Sequence, residues 1–235
     1  MLLIFKFFLF YLLVFLVLAD DGNKSNSQIE LLIEEYILEN PEVIIKSLEN
    51  YRSLQEAKIE EEQKYLINNY YAEKIYDSLP SSGNEAGSII VTEFIDYNCG
   101  YCKKTLQIIN SLLDRNNNIK IIFIDFPILS ETSYIAAKGA LAAFEQGAYF
   151  EFHSKLLNRN KKFSDDYIVD LAKDMNLDVS KFKKDMNSDL ISKKLEKNIK
   201  FARDLNIRGT PSFIINKKVY PGAYKLDKLE EIIKK

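Results

Sequence analysis

A chain of 235 residues with 47% hydrophobic content is long enough to bury a sizeable core in one or two domains, which excludes an intrinsically disordered protein. Its 32 basic and 34 acidic residues nearly cancel, but residues 28–79 carry 12 acidic against 5 basic side chains, and residues 80–235 carry 20 against 25. Both halves read as solvated faces with dispersed charge, which argues against a nucleic-acid partner.

Met1 to Leu18 is almost wholly apolar, with one charge at Lys6, and it ends Val17-Leu18-Ala19 ahead of Asp20. The small residue at Ala19 and the compact one two positions before it read as a cleavage site, so residues 1–19 are expected to be a signal peptide. The apolar run is short for a bilayer span of ~20 residues; an uncleaved membrane anchor stays as the alternative. Export to the periplasm or beyond places the chain where disulfides persist, so its cysteines are expected to be redox-active or bonded to each other.

A polar linker, Asp20 to Ser27, precedes a helical pattern from Gln28 to about Leu79, interrupted at Asn40-Pro41. Pro41 suits a first helical turn, so the pattern predicts a short helix, a bend and a long helix. Val43, Ile44, Leu48, Tyr51, Leu54, Ile59, Leu66 and Tyr70 form a narrow apolar stripe that a second copy of the helix would cover. Residues 20–79 are thus expected to be an oligomerisation arm, and Ser81 to Gly87, within residues 80–87, a hinge-like linker.

From residue 88 the pattern changes. Ser88 to Asp96 and Lys120 to Phe126 read as buried strands, with a helix between them that starts at the cysteines; strand, helix, strand predicts a crossover and a parallel pair. Thr132 to Asn206 reads as a helical insertion broken near Gly147, Lys162 and Leu177. Strand pattern returns at Ser212–Ile215, turns at Asn216 to Lys218, resumes at Val219-Tyr220, and a last helix begins at Leu226. The fold class is α/β.

Cys99 and Cys102 are the only cysteines. Asn98 is expected to be the N-cap and Cys99 the first helical residue, where free N–H groups and the positive dipole end favour a thiolate. Cys102 lines up with Leu106, Ile109 and Leu113 on the core face, so Cys99 is the attacking sulfur and Cys102 resolves the mixed disulfide. Structural zinc needs four ligands and finds only His153 besides the pair; haem attachment needs His where Lys103 stands; an iron-sulfur cluster lacks ligands. No metal and no cofactor is expected. A plain structural disulfide stays as the bland alternative, although it would close a very short loop.

Glu93 shares a strand face with Val91 and Ile95, which makes it a buried carboxylate that tunes Cys102 or relays its proton, or else a side chain at a solvated edge. His153 reads as a packing residue rather than a base. Thr210-Pro211 opens a strand, and a cis bond there would offer backbone to an extended substrate.

Taken in order, "FIDYNCGYC", "DFPIL", "SYIAAKGALAA", "YFEFH" and "IRGTPSFIIN" resemble the thioredoxin superfamily and, with the helical block between, its DsbA-like thiol-disulfide oxidoreductases, over residues 88–235. The resemblance implies a thioredoxin-like fold with a large helical insertion at about 132–206, Cys99 as nucleophile, Cys102 as resolving cysteine, Glu93 as the buried acid and Pro211 as a cis-proline facing the pair. It also implies a hydrophobic peptide groove, with Gly100, Tyr101, Thr210 and Pro211 on the substrate side. "LLIEEYILENPEVIIKSLENY" resembles the arm of the ScsC-like subgroup, which builds homo-oligomers, often trimers, of disulfide isomerases. Gly100-Tyr101 departs from the Pro-His of strongly oxidising members, and Leu106 stands where some members carry a second acid.

The expected activity is an oligomeric disulfide isomerase acting on cysteine-containing exported proteins and reset by a membrane redox partner. A monomeric dithiol oxidase, and a non-catalytic adaptor with a static disulfide, stay as alternatives.

Overall fold

A computed structural model describes residues 21–72 and 78–234 of the chain. The expected leader, residues 1–19, and residues 73–77 of the expected arm lie outside the described residues. The chain forms two units that divide between Lys58 and Ile59, inside a helix, rather than at the expected linker.

The first unit is helical. Helix α1, Asp21–Glu39, begins within the stretch expected to be linker, seven residues before Gln28, and α2 runs Glu42–Ala72. Asn40 closes α1, because its backbone N–H and its side-chain Nδ2 both donate to the Tyr36 carbonyl, at 2.9 and 2.8 Å. The carbonyls of Asn40 and Pro41 then accept from Val43 and Ile44 and open α2. Ile29, Leu32, Ile33 and Tyr36 on α1, and Ile44, Leu48 and Tyr51 on α2, recur at helical spacing and are exposed.

The second unit is built on a five-stranded sheet: β1 Ser81–Gly83, β2 Ile89–Ile95, β3 Ile119–Asp125, β4 Ser212–Ile215 and β5 Lys218–Pro221, in the spatial order β1-β3-β2-β4-β5. β2 and β3 are parallel, Ile89 opposite Ile119 through Ile95 opposite Asp125, as strand-helix-strand predicts. The expected linker at 80–87 instead supplies the edge strand β1, antiparallel to β3. Gly83 makes this pairing possible: its φ is +92°, and a Cβ there would lie 2.5 Å from the Ile119 carbonyl oxygen. β4 and β5 form a hairpin whose turn residues Asn216 and Lys217 both have positive φ, as the two-residue turn requires.

Helices cover both sheet faces. On one face Val91, Ile95, Ile121, Phe123, Phe213 and Ile215 pack in one cluster with Leu106, Ile109 and Leu112 of α3, Gly100–Arg115, and with the helical block. Leu112, rather than the expected Leu113, carries the core line of α3. On the other face Phe94, Ile124 and Ile214 join Ile67 of α2, Phe201 of α8, Asp189–Asp204, and Leu205, which closes α8. Tyr70 stacks on Phe201 at 3.6 Å between ring centroids, and Gln63 Nε2 donates to the Leu205 carbonyl at 2.6 Å. Residues 59–70, expected to belong to the arm, are therefore part of the second unit, with Ile67 in its core and Leu66 and Tyr70 packed against it.

The helical insertion comprises α4 Glu131–Phe144, α5 Tyr149–Asn158, α6 Asp165–Asp174, α7 Val179–Met186 and α8, followed after the hairpin by α9, Leu226–Ile233. Breaks fall at 145–148, 159–164 and 175–178, matching Gly147, Lys162 and Leu177. A further break at Asn187-Ser188 follows from capping: Ser188 Oγ accepts from the Ile191 N–H and starts α8 anew.

Candidate active site

β2 ends at Ile95, and Asp96 to Asn98 turn the chain into α3. Asp96 holds that turn: its buried carboxylate accepts from the Asn98 N–H and the Ser133 hydroxyl, both at 2.7 Å, and from the Ile128 and Leu129 N–H groups at 2.8 and 2.9 Å. Four donors satisfy the charge, which a buried carboxylate needs.

Asn98 does not cap α3. Its Nδ2 donates to the hydroxyls of Ser130, Thr132 and Ser133, and its Oδ1 accepts from Arg159. Those partners lie 32 to 61 residues downstream, so local sequence gave no hint of them. Cys99 is itself the N-cap, with φ −79° and ψ 113°, and α3 begins at Gly100. Its sulfur therefore sits where a Ser or Asp oxygen caps other helices, beside the free N–H groups of the first turn.

The two thiols are unbridged and unequally placed: Cys102 is fully buried, whereas Cys99 lines an open cleft. The Cys99 pKa is lowered to about 5, first by the hydrogen bond from the Cys102 thiol, then by the Thr210 side chain and the backbone N–H groups of Cys102 and Tyr101. Cys102 is pushed the opposite way, by its hydrogen bond to Cys99, by burial and by the charge of Glu93. At neutral pH the pair thus holds one thiolate and one shared proton, the charge on the outer sulfur.

Glu93 is on the β2 face of Val91 and Ile95 and is buried, not at a solvated edge. Burial, and then the Cys99 charge, raise its pKa to about 8, so it keeps its proton near neutrality. Gly100 opens the helix with open space where a Cβ would point, and Tyr101 is exposed, with Lys104 Nζ 5.4 Å from its ring centroid.

From 111 residues away, Thr210 brings its carbonyl oxygen to 3.1 Å from Cys99 Sγ, a hydrogen bond that the protonated thiol donates and that is lost when Cys99 ionises. The Thr210 hydroxyl oxygen is buried with no hydrogen-bond partner in the structure, which leaves it free to favour the thiolate. The Thr210-Pro211 bond is cis and Pro211 is buried. Cys99, Cys102, Glu93, Thr210 and Pro211 thus meet at one end of β2, α3 and β4, while Gly100 and Tyr101 face outward.

Behind the pair is a buried polar cluster that sequence reasoning did not assemble. Tyr149 donates to Asp125 at 3.0 Å, Tyr97 donates to Tyr149 at 3.3 Å, and the Tyr97 hydroxyl lies 3.3 Å from His153 Nδ1. Burial raises Asp125 to about 7 and lowers His153 to about 3. An acid inside the apolar run "IIFIDF" was the available signal; its tyrosine partner arrives from a helix and could not be read locally. His153 is packed against Phe123 and Tyr149, as expected of a packing residue. Among the described residues, no three His, Cys, Asp or Glu side chains converge to hold a metal ion.

The cleft at Cys99 has a volume of about 780 Å³ and an apolar floor that includes Tyr97, Leu157 and Phe163. Lys103, Arg159, Lys161 and Lys162 line the same cleft, so it joins apolar surface to positive charge.

Residues 90–234 match the DSBA-like thioredoxin domain, and residues 27–58 match the N-terminal domain of the copper resistance protein ScsC. The thiol-disulfide exchange protein alpha-DsbA2 from Wolbachia pipientis is 35% identical, covering 74% of this chain and 96% of that one at a TM-score of 0.68. Proteus mirabilis ScsC in a compact conformation is 25% identical, covering 88% of this chain and 96% of that one at a TM-score of 0.63. Over 153 residues the chain is also 25% identical to the Na(+)/H(+) antiporter NhaA 1 of Salinispora arenicola, 64% of this chain but 24% of the antiporter. The chain thus spans about a quarter of that relative's length. With the family match covering more than half of its residues, the chain belongs to the DSBA-like thioredoxin domain family of thiol-disulfide oxidoreductases, and an ScsC-type N-terminal domain precedes that domain.

Proposed function

We propose that this protein is an exported disulfide isomerase that works as a homo-oligomer through Cys99 and Cys102, on cysteine-containing proteins of the same compartment. The supporting observation is the division of labour within the pair: an outer sulfur with its pKa lowered to about 5 and an inner one raised and shielded.

In this reading the Cys99 thiolate attacks a client disulfide; a Cys99–client bond forms, and the client's other sulfur leaves as a thiolate. That client thiolate attacks another disulfide of the client, and the thiolate displaced there attacks the client sulfur bonded to Cys99, so that a new client disulfide forms and Cys99 leaves as the thiolate. If the client stalls, Cys102 attacks Cys99 Sγ, passing its proton to the Glu93 carboxylate once that group is ionised, and the client departs reduced. Residues of the substrate side would be Gly100, Tyr101, Thr210 and Pro211, with the Thr210 backbone beside the reacting sulfur.

Oligomerisation is supported by the exposed apolar stripe of α1 and α2, because seven large side chains at helical spacing stay in water unless another copy covers them. Export is supported by the apolar leader followed by Val17-Leu18-Ala19.

A second reading, a dithiol oxidase recharged by a membrane redox partner, is favoured by the same low pKa, since stabilising the reduced form makes the disulfide more oxidising. The deciding experiment adds reduced protein, residues 20–235, to a test enzyme with scrambled disulfides, with Cys99→Ala as control. Activity recovered only by the native protein supports the isomerase. No recovery, together with rapid oxidation of a dithiol peptide by the disulfide form, transfers the assignment to the oxidase.

A further inference from the structure

The cleft beside Cys99 carries charge of one sign. Lys103 from the first turns of α3, Arg159 from the end of α5, and Lys161 and Lys162 from the loop that follows all line it, and no carboxylate does. Among the described residues, none of the four forms an ion pair with an Asp or Glu. Asp96 is close enough for its charge to act on Arg159, but it already accepts four hydrogen bonds.

Arg159 is fixed rather than free. It donates to the carbonyls of Tyr97 at 2.6 Å and Leu156 at 3.1 Å and to Asn98 Oδ1, and its guanidinium carbon stands 3.4 Å from the Phe163 ring centroid. A positioned cation over an apolar floor costs little further ordering when a ligand arrives. Lys161 and Lys162 beside it are exposed and form the outer rim.

These cations are not what activates the sulfur. The groups that lower the Cys99 pKa are the Cys102 side chain, Thr210 and the first-turn N–H groups, and no lysine or arginine is among them. The four positive charges are left to act on whatever enters the cleft.

We propose that this cleft selects client polypeptides by charge, taking segments in which Asp or Glu flanks the reacting cysteine and disfavouring those flanked by Lys or Arg. The inference rests on the oxidoreductase reading and adds a client class to it. Apolar contacts with Tyr97, Leu157 and Phe163 seat the segment, and the cations orient its carboxylates around Cys99. A wall of one charge also raises the local concentration of oppositely charged ligands, so the effect appears in encounter rate and fades with salt.

The test uses the protein, residues 20–235, in its disulfide form and three peptides of equal length, each with one cysteine, flanked by acidic, neutral or basic residues. The peptide thiolate attacks Cys99 Sγ; the peptide–Cys99 bond forms, and Cys102 leaves as a thiolate that takes up a proton from water. Each rate is divided by the same peptide's rate with an uncharged small disulfide, which removes differences in intrinsic thiol reactivity.

The acidic peptide is expected to react about 10-fold faster than the neutral one at low ionic strength, and the basic one more slowly, with the spread collapsing near 1 M salt. Replacing Lys161→Glu together with Lys162→Glu leaves two cations against two carboxylates and is expected to abolish the spread between acidic and basic peptides, with circular dichroism confirming the fold. Equal corrected rates for all three peptides at low salt overturn the charge selection while leaving the oxidoreductase reading intact. A neutral peptide that does not exchange at all overturns the reading itself.

Discussion

The sulfur of Cys99 and the carbonyl oxygen of Thr210 lie 3.1 Å apart although 111 residues separate them in the chain. That contact joins the start of α3 to a residue two positions before β4, and β4 pairs antiparallel with β2. A client sulfur that reaches Cys99 therefore arrives beside the Thr210 backbone as well as beside a thiolate.

The reactivity of Cys99 is expected to follow its lowered pKa. Alkylation by iodoacetamide, measured against pH, should rise with a midpoint near 5 rather than near the ordinary value of about 8.5. Because the Cys102 side chain is the largest cause, Cys102→Ala should move the midpoint toward neutrality, and Cys102→Ser, which keeps a donor, should move it less. A midpoint near 8.5 in the native protein would remove the basis of the proposed attack.

Glu93 is expected to make the folded protein lose stability as pH rises. Its folded pKa, about 8, is above the unfolded value of about 4.3, so the folded state holds a proton that the unfolded state releases across that window. Cys99, with a depressed folded pKa, acts in the opposite sense over an overlapping range. The difference between Glu93→Gln and the native protein cancels the shared Cys99 contribution, and the melting temperature of the variant should gain on the native one from pH 4.5 to 8. A constant difference across that range would count against a buried, protonated Glu93.

Asp96 is expected to be structural. Asp96→Ala would leave two backbone N–H groups of the 128–129 loop, the Asn98 N–H and the Ser133 hydroxyl without their acceptor. A loss of about 3 kcal/mol or more in urea unfolding is expected. The loop that carries Leu129 into the cleft should loosen with it, visible as faster amide exchange at Ile128 and Leu129.

His153 is the chain's only histidine, so its ring gives a single imidazole signal by proton NMR. Burial lowers its pKa to about 3, and the signal should stay unshifted from pH 8 down to about 4. Its unfolded pKa is near 6.5, so its contribution to stability is full above that pH and declines as pH falls toward 3. Titration near 6.5 in the folded protein would mean that the ring is not buried in the aromatic cluster.

The arm is expected to set the subunit number. Ile33→Glu with Leu48→Glu places charge on the exposed apolar stripe without touching the second unit's core. Sedimentation velocity should report an oligomer for the native chain and a monomer for the variant. A native protein that sediments as a monomer at micromolar concentration would sink the oligomer reading and leave the stripe unexplained.

Periodicity and composition were enough for the alternation of strand and helix, for Cys102 on the core face of α3 and for Glu93 on the face of Val91 and Ile95, because each depends on spacing within one element. The breaks at Gly147, Lys162 and Leu177 were legible for the same local reason, whereas Ser188 was missed because a cap is visible only once the helix it starts is known. Only the tertiary structure decided that Ser81–Gly83 is a strand, since three residues have no periodicity and β1 exists through its pairing with β3. It also decided that Cys99 and not Asn98 caps α3, because hydroxyls from 130–133 and the Arg159 guanidinium outcompete the helix for the Asn98 side chain. The sequence by itself determined that two sulfurs separated by two residues would share one helix turn; the fold decided which one carries the charge, because the burial of Cys102 and the Thr210 contact come from elements that meet only when the chain is packed.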